Sequence, residues 1–313
     1  MPTFVQPFEK DGAPMRMNFS EKILKVFLTV LVIGFMSHGV QCQGFHARLH
    51  LGAMYYQGDL APKPVEASFG AGQLSWGVSV GKDVAPWMSI NARYMKGRLT
   101  GSDAKAKDDH RRNRNLSFAS PLHEYGVYTD LKVNQLWKAL DKYKVRLYVT
   151  LGFNLIHFDP KAYYEGRWIP LQPLGTEGQT LTTSTTGKYS RYNWSRPVGV
   201  VVEFDFTERI SFGMDFCPRK TYTDYLDDVS TSYPDYEAML ASGNTLGARL
   251  SNRMGELNNS EPVIFPTGTS RGNPSNNDWY THIGFYFKYR FGAKGIPNSN
   301  DTQIQSVQTP FSN

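Results

Sequence analysis

The sequence predicts an all-β protein: an eight-stranded antiparallel up-and-down transmembrane β-barrel with long extracellular loops and a short helix in the last loop. Three observations carry that expectation. Segments of about ten residues alternate apolar and polar side chains, as strands with two differently solvated faces must. Long and short connections alternate between them, the habit of transmembrane barrels, which turn tightly on one side and loop widely on the other. A strand of about ten residues at roughly 3.3 Å each, tilted near 45°, covers about 24 Å, close to the apolar band of such barrels. A soluble β-sandwich would show the alternation too, but not the three together.

The last segment, residues 278–291, shows the pattern plainly. Trp279, Ile283, Phe285, Phe287, Tyr289 and Phe291 fall on one parity, and Tyr280, His282, Gly284, Tyr286, Lys288 and Arg290 on the other. Aromatic residues stand at both ends of the apolar row and only a polar tail follows, as expected of a closing barrel strand. Mean hydropathy is −0.43, which argues against apolar helical spans but not against a barrel, since a barrel shows lipid only half its strand residues. The formal charge of +6 over 313 residues is mild. It forms no basic stripe of the kind nucleic-acid binding needs.

Lys22 and Lys25 precede an apolar run over residues 26–36. The run is short for a bilayer span and small or polar residues follow, so residues 17–42 are expected to form a secretory signal peptide. Val40 and Cys42 occupy the −3 and −1 positions for cleavage before Gln43. A lipoprotein reading of Cys42 is weaker, because the residue three before it is Gly39. Residues 1–16 read as an extension or misassigned start, with Met15 or Met17 as candidate initiators, and residues 292–313 as a polar periplasmic tail. The barrel is expected over 43–291. Cleavage leaves Cys217 without an internal disulfide partner, on an apparent strand with no nearby base to activate it.

Strand one (45–56) sets Phe45, Ala47, Leu49, Leu51, Ala53 and Tyr55 against His46, Arg48 and His50. Strand two (72–82) has Leu74, Trp76, Val78 and Val80 on its apolar parity, and strand three sets Met88, Ile90, Ala92 and Tyr94 against Ser89, Asn91 and Arg93. A polar connection over 97–120 leads to strand four, with Tyr125, Val127, Thr129, Leu131 and Val133 opposite Glu124, Gly126, Tyr128, Asp130 and Lys132. A brief link, 135–142, gives strand five, where Val145, Leu147, Val149, Leu151, Phe153 and Leu155 oppose Arg146, Tyr148, Thr150 and Asn154. After a second long connection (159–195), strand six has Val198, Val200, Val202, Phe204 and Phe206 against Gly199, Glu203 and Asp205. A tight turn at 207–209 leads to strand seven, with Ile210, Phe212, Met214 and Phe216 against Ser211, Gly213 and Asp215. The longest connection, 218–277, precedes the closing strand.

The polar parity collects Arg48, Arg93, Lys132, Arg146, Lys288 and Arg290 with Glu124, Asp130, Glu203, Asp205 and Asp215. An eight-stranded barrel has an interior just wide enough for its side chains, and charges away from water must pair. A salt-bridged plug is therefore expected rather than a pore. His46, His50 and His282 share that parity, but His46 and His50 lie about 13 Å apart along a strand at ~3.3 Å per residue, too far to share one metal. No cofactor or metal site is expected. Ser117, His123 and Glu124 are near in sequence, yet His123 and Glu124 point to opposite faces, so no catalytic triad forms and an enzyme is not expected. In the last loop, residues 234–241 carry Pro and acids in a first turn and end before Gly243, a helix signature. The Asp residues at 224, 227 and 228 lack an EF-hand spacing and suggest capping and turns.

The loop segments Asn115-Leu116-Ser117-Phe118, Pro173-Leu174-Gly175-Thr176-Glu177-Gly178-Gln179, Thr223-Asp224-Tyr225-Leu226-Asp227-Asp228-Val229-Ser230 and Arg271-Gly272-Asn273-Pro274, with Asn277-Asp278-Trp279-Tyr280 and Tyr289-Arg290-Phe291, resemble the PorG-type outer-membrane barrels. Tyr56-Gln57-Gly58-Asp59-Leu60 adds to the likeness. It covers nearly all of the expected mature chain in order, leaving out residues 1–16 and the tail. The resemblance implies a bacterial outer-membrane component of the type IX secretion and gliding machinery that anchors a periplasmic ring of a lipoprotein and its partner subunit. Under that reading the short turns and the tail meet the ring. Leu136 and Trp137 in the 135–142 turn are then the candidate contact, since an exposed aromatic is a usual interface anchor; an inner aromatic girdle accounts for Trp137 equally well. The alternatives are a stand-alone structural or adhesion barrel with ligand-binding outer loops and, behind it, a membrane-embedded lipid-modifying enzyme.

Overall fold

The computed structural model describes residues 44–61, 72–134, 143–258 and 260–292. Ten strands form one sheet: β1 (Phe45–Gln57), β2 (Gln73–Ala85), β3 (Met88–Ser102), β4 (Ser117–Lys132), β5 (Val145–Phe158), β6 (Lys161–Tyr164), β7 (Arg167–Pro170), β8 (Tyr192–Asp205), β9 (Ile210–Thr221) and β10 (Trp279–Arg290). The small hairpin β6–β7 hangs from β4 by a single pairing, Ala119 with Lys161. The remaining eight strands run antiparallel in sequence order. They close into a cylinder because β1 pairs with β10 from His46↔Arg290 to Gln57↔Trp279, and β3 with β4 from Met88↔Leu131 to Ser102↔Ser117. Closure leaves no unpaired sheet edge in the wall.

The alternation in the sequence becomes two surfaces. Leu49, Leu51, Val78, Val127, Leu151, Val200, Phe285 and Phe287 stand exposed on the outer wall. Their neighbours one residue away, among them Arg48, His50, Tyr128, Thr150, Lys288 and Tyr286, are buried inside. Aromatic side chains ring both margins of the apolar band. Trp87, Tyr143, Phe206 and Tyr289 are exposed at the end with the short turns, and Trp76, Trp194, Tyr222 and Trp279 at the end with the long loops. No described helix is long and apolar enough to cross a membrane.

The strands are longer than the sequence pattern suggests, 12 to 16 residues rather than about ten. The excess lies at the loop end, where β3 and β4 run on through much of the expected 97–120 connection. There the inward residues Met95, Leu99, Phe118 and Leu122 pack with Met54, Tyr56, Ile156, Phe158 and Tyr280 into an apolar core. The rhythm fades in sequence because both faces change character there: the inner one turns apolar and the outer one polar.

The connections carry more structure than expected. Between β3 and β4 lies a short helix, α1 (Asp109–Arg114), capped at its N-terminus by Asp108 and ended by Asn115 in the left-handed region. The β6–β7 hairpin occupies the expected 159–195 connection and turns on Glu165 (φ 46°) and Gly166 (φ 81°), the two positive φ values a tight hairpin turn requires. The helix expected over 234–241 is α2 (Tyr236–Ala241). It starts from Asp235, whose side chain accepts from the Ala238 N–H, and stops before Gly243 at φ 80°. A second helix, α3 (Thr245–Ser251), follows from an Asn244 cap. At the opposite end, Thr207 Oγ1 accepts from the backbone N–H groups of Arg209 and Ile210 and so closes the tight turn between β8 and β9.

Candidate functional site: a charged interior and an interlocked loop cap

The interior side chains belong to eight strands, and the ladder registers decide which of them meet. Arg48 on β1 donates to Asp130 on β4 across the lumen at 2.6 Å, with both side chains buried. Asp130 also accepts from Thr150 (2.6 Å) and Asn91 (3.0 Å), and Asn91 in turn bonds His46 at 2.8 Å. Nearer the short turns, Glu203 gathers Arg290 (2.7 Å), Tyr286 (2.7 Å) and Lys288 (3.3 Å), with Arg146 at 3.8 Å. Asp205 shares Arg290 (3.0 Å) and takes Arg146 at 2.5 Å. Lys132 is half-buried at the end of β4. The register permits such crowding because glycines face inward. A Cβ on Gly213 would run into the Tyr286 ring, which passes over β9 at this glycine to reach Glu203 on β8.

Midway up the barrel, Asp215 bonds His282 Nδ1 at 2.7 Å, and His50 bonds Ser79 at 3.0 Å. Arg93 is fully buried with its guanidinium 4.1 Å from the centre of the Tyr128 ring. Among the described residues its nitrogens meet no hydrogen-bond acceptor, and the face of the Tyr128 ring is what the cation lies against. Above this layer the predicted interior carboxylate Glu124 meets a cation that strand-end reasoning missed. Arg219 on β9 grips Glu124 on β4 with two bonds, 2.7 and 3.2 Å, and donates to the Cys217 carbonyl at 2.6 Å. Glu124 accepts further from Tyr280 (2.7 Å) and Tyr128. Ending the seventh strand at Cys217, before Pro218, hid Arg219; the strand in fact continues to Thr221 with the proline in the wall. Cys217 is buried beside this pair, and the described residues contain no group of three or more possible metal ligands.

The apolar layer of β3, β4 and β5 lies over the charges, and the long loops lock over that layer. Tyr56 donates to Asp227 (2.6 Å) and Asp278 (3.0 Å). Asp227 also accepts from the Leu60 N–H, and Asp278 from the Leu226 N–H. Glu177 receives the N–H groups of Ser230 and Thr231, the Thr231 hydroxyl and Arg271 (3.1 Å). Asp228 takes Tyr189 (2.6 Å) and Thr176, and Arg271 donates to the Asp228 carbonyl at 2.6 Å. Arg114 binds Asp103 with two bonds, 2.7 and 2.9 Å, and reaches the Arg271 carbonyl. Asp227 does hold a local turn, accepting from the Val229 N–H at 2.9 Å, but both it and Asp228 also tie together distant loop segments, which the expectation of capping and turns did not include. Their burial raises the carboxyl pKa values: Asp224 to about 8, Asp227 to about 7, and Asp228 to about 6 even with Arg271 beside it pulling the other way. Burial and the neighbouring Asp227 and Asp224 charges push Asp278 up as well.

The segments quoted above for the family resemblance are the ones that interlock here: Glu177, Asp227, Asp228, Arg271 and Asp278 each bridge two of them. Leu136 and Trp137 lie outside the described residues, as do the expected signal peptide and all of the tail beyond Gly292.

No protein-family model matches this sequence, and no curated protein matches it. Among solved structures, the chain is similar to Neisserial surface protein A, at 10% identity over 80% of this chain and 98% of that one, with a TM-score of 0.39. A major outer membrane protein of Thermus thermophilus is similar at 12% identity, over 80% and 100% of the two chains, with a TM-score of 0.37. So is the attachment invasion locus protein Ail of Yersinia pestis, at 8% identity over 80% and 99%, with a TM-score of 0.36.

Proposed function

We propose that this chain is a bacterial outer-membrane barrel that acts as a non-enzymatic scaffold, with lipid around its wall and no conducting path through it. The observation that carries this reading is the outer wall itself. It is apolar between two aromatic margins, and among the described strand residues that face outward there is no Asp or Glu. Such a surface is soluble only when lipid covers it. Inside, the Arg48–Asp130, Glu124–Arg219 and Glu203–Lys288–Arg290 groups fill the space an ion would need.

We infer further that the barrel belongs to the type IX secretion and gliding machinery and anchors a periplasmic ring made of a lipoprotein and its partner subunit. The interlocking of the PorG-like loop segments supports this, because those residues hold one common structure and are not a scatter of chance matches. In this reading the short turns and tail face the periplasm, and Leu136 and Trp137 contact the ring. Affinity purification of the native barrel should then bring down ring subunits, and a deletion strain should lose secreted cargo enzymes. A barrel that purifies alone from a strain with intact secretion contradicts the role.

One observation favours adhesion as the second reading. The loop cap contains an open pocket of about 330 Å³, lined by Arg111, Arg114 and Arg271 together with Asp59, Gly272 and Asn273. Intact secretion together with loop-dependent binding to an acidic surface glycan would select it.

A further inference from the structure

Outward-facing cations are not scattered over the wall. At the short-turn end there is Lys82, over the Phe45 ring; at the long-loop end there are Lys96, Arg98, Arg196 and Lys220, all exposed. Arg196 and Lys220 are direct partners in the β8–β9 ladder. Each lies over an aromatic ring, Arg196 5.3 Å from Tyr222 and Lys220 5.5 Å from Trp279, and neither has an acidic partner among the described residues.

The wall is dented beside this pair, for a reason visible in the sequence. Pro197 has no N–H to give the ladder, and the β5–β8 pairing lapses there with its register unchanged, stopping at Leu151↔Val198 and resuming at Asn154↔Ser195. On the inner face Gly152 lies beside the Pro197 ring, where a Cβ would come within 2.9 Å of the ring Cγ, so neither residue puts a side chain on the outer face. The result is a groove of about 440 Å³ with Leu151, Val198 and Pro218 along its apolar part and Arg196 and Lys220 at one margin. On the other side of the barrel, four strands away in either direction, Lys96 and Arg98 flank a similar groove of about 300 Å³ beside Leu74 and Trp76.

We propose that these two grooves bind phosphate-bearing lipids of the leaflet on the long-loop side, with acyl chain in the apolar part and phosphate between the paired cations. The inference rests on the membrane reading above. Its support is charge complementarity at one depth: paired cations just past the aromatic margin, no acid among the described outward-facing strand residues, and apolar floors continuous with the lipid-facing band. A soluble polyanion has no use for the floors, and a neutral lipid has none for the cations. Each cation near a charged membrane surface contributes about a factor of five in affinity, so a pair gives about twenty-five-fold.

The test uses the full barrel in neutral detergent micelles, observed by native mass spectrometry with added diphosphoryl lipid A. The expected result is up to two retained lipids on the unaltered chain. Arg196→Gln with Lys220→Gln should reduce this to one, with affinity at the altered groove down about twenty-five-fold, and adding Lys96→Gln with Arg98→Gln should leave none. Diacylglycerol should not be retained, and inorganic phosphate at equal concentration should not displace the lipid. Equal retention by the substituted barrel, equal retention of diacylglycerol, or displacement by inorganic phosphate overturns the proposal. Insertion into vesicles is measured in parallel. A barrel that inserts but shows no cation dependence defeats only the lipid sites; one that fails to insert defeats the membrane reading and the lipid sites together.

Discussion

Arg219 and Glu124 meet with both side chains fully buried and two bonds between them, and Tyr280 and Tyr128 complete the carboxylate's shell. Removing one partner leaves an uncompensated charge where water is scarce, which costs about 3–5 kcal/mol. Arg219→Ala should therefore lower the unfolding free energy obtained from urea titration of the barrel by that amount, whereas Arg196→Gln on the wall should change it by less than about 0.5 kcal/mol. Similar losses for the two would remove the distinction between interior and wall. The predicted interior charges were legible because each sits at an odd step from the apolar row of its strand, and so on the opposite face. Arg219 was not, because Cys217-Pro218 reads as the end of a strand. In the structure Pro218 faces outward opposite Thr281, and Arg219 keeps the parity of Asp215.

At the scale of elements, the alternation revealed the middle of every wall strand but not the loop-end extensions, where the inner face turns apolar. The β6–β7 hairpin had a readable sign, Glu165-Gly166 between short aromatic stretches, but it lies in a connection too polar overall to suggest strands. The cap was legible only through the resemblance, since bonds such as Glu177 to Arg271 join residues far apart in the chain. Its carboxyls give it a pH response. The folded pKa values of Asp224 and Asp227, about 8 and about 7, lie above the value of 3.8 expected in an open chain. Protons are therefore bound more tightly when the cap is closed. The stabilisation they give is complete below about pH 4 and is lost as pH rises through about 7 to 8. Limited proteolysis of the long loops should be slower at pH 5.5 than at pH 8.5 after correction for protease activity. Faster cleavage at the lower pH would contradict the assignment. On the wall, Phe285→Arg places a charge near the middle of the apolar band and should cost about 2–4 kcal/mol of folding into vesicles, against little for a substitution at Trp279 near the margin.

For the whole molecule, closure of eight strands around paired charges predicts no steady current. Planar bilayers containing the purified barrel should show no reproducible conductance steps, and a stable open level would mean that the interior network opens. The ring-anchoring role needs a contact at the short-turn end, so Trp137→Ala should weaken co-purification of ring subunits while leaving barrel assembly intact. Unchanged co-purification would move the contact elsewhere.

The most direct test of the lipid-exposed wall is spin labelling at successive positions of β5, from Val149 to Phe153, in a Cys217→Ser background reconstituted in vesicles. Labels at Val149, Leu151 and Phe153 should be relaxed by oxygen and shielded from a water-soluble nickel chelate, whereas Thr150 and Gly152 should be shielded from oxygen. A two-residue period in oxygen access is the expected result; uniform access to the chelate along the strand would contradict it.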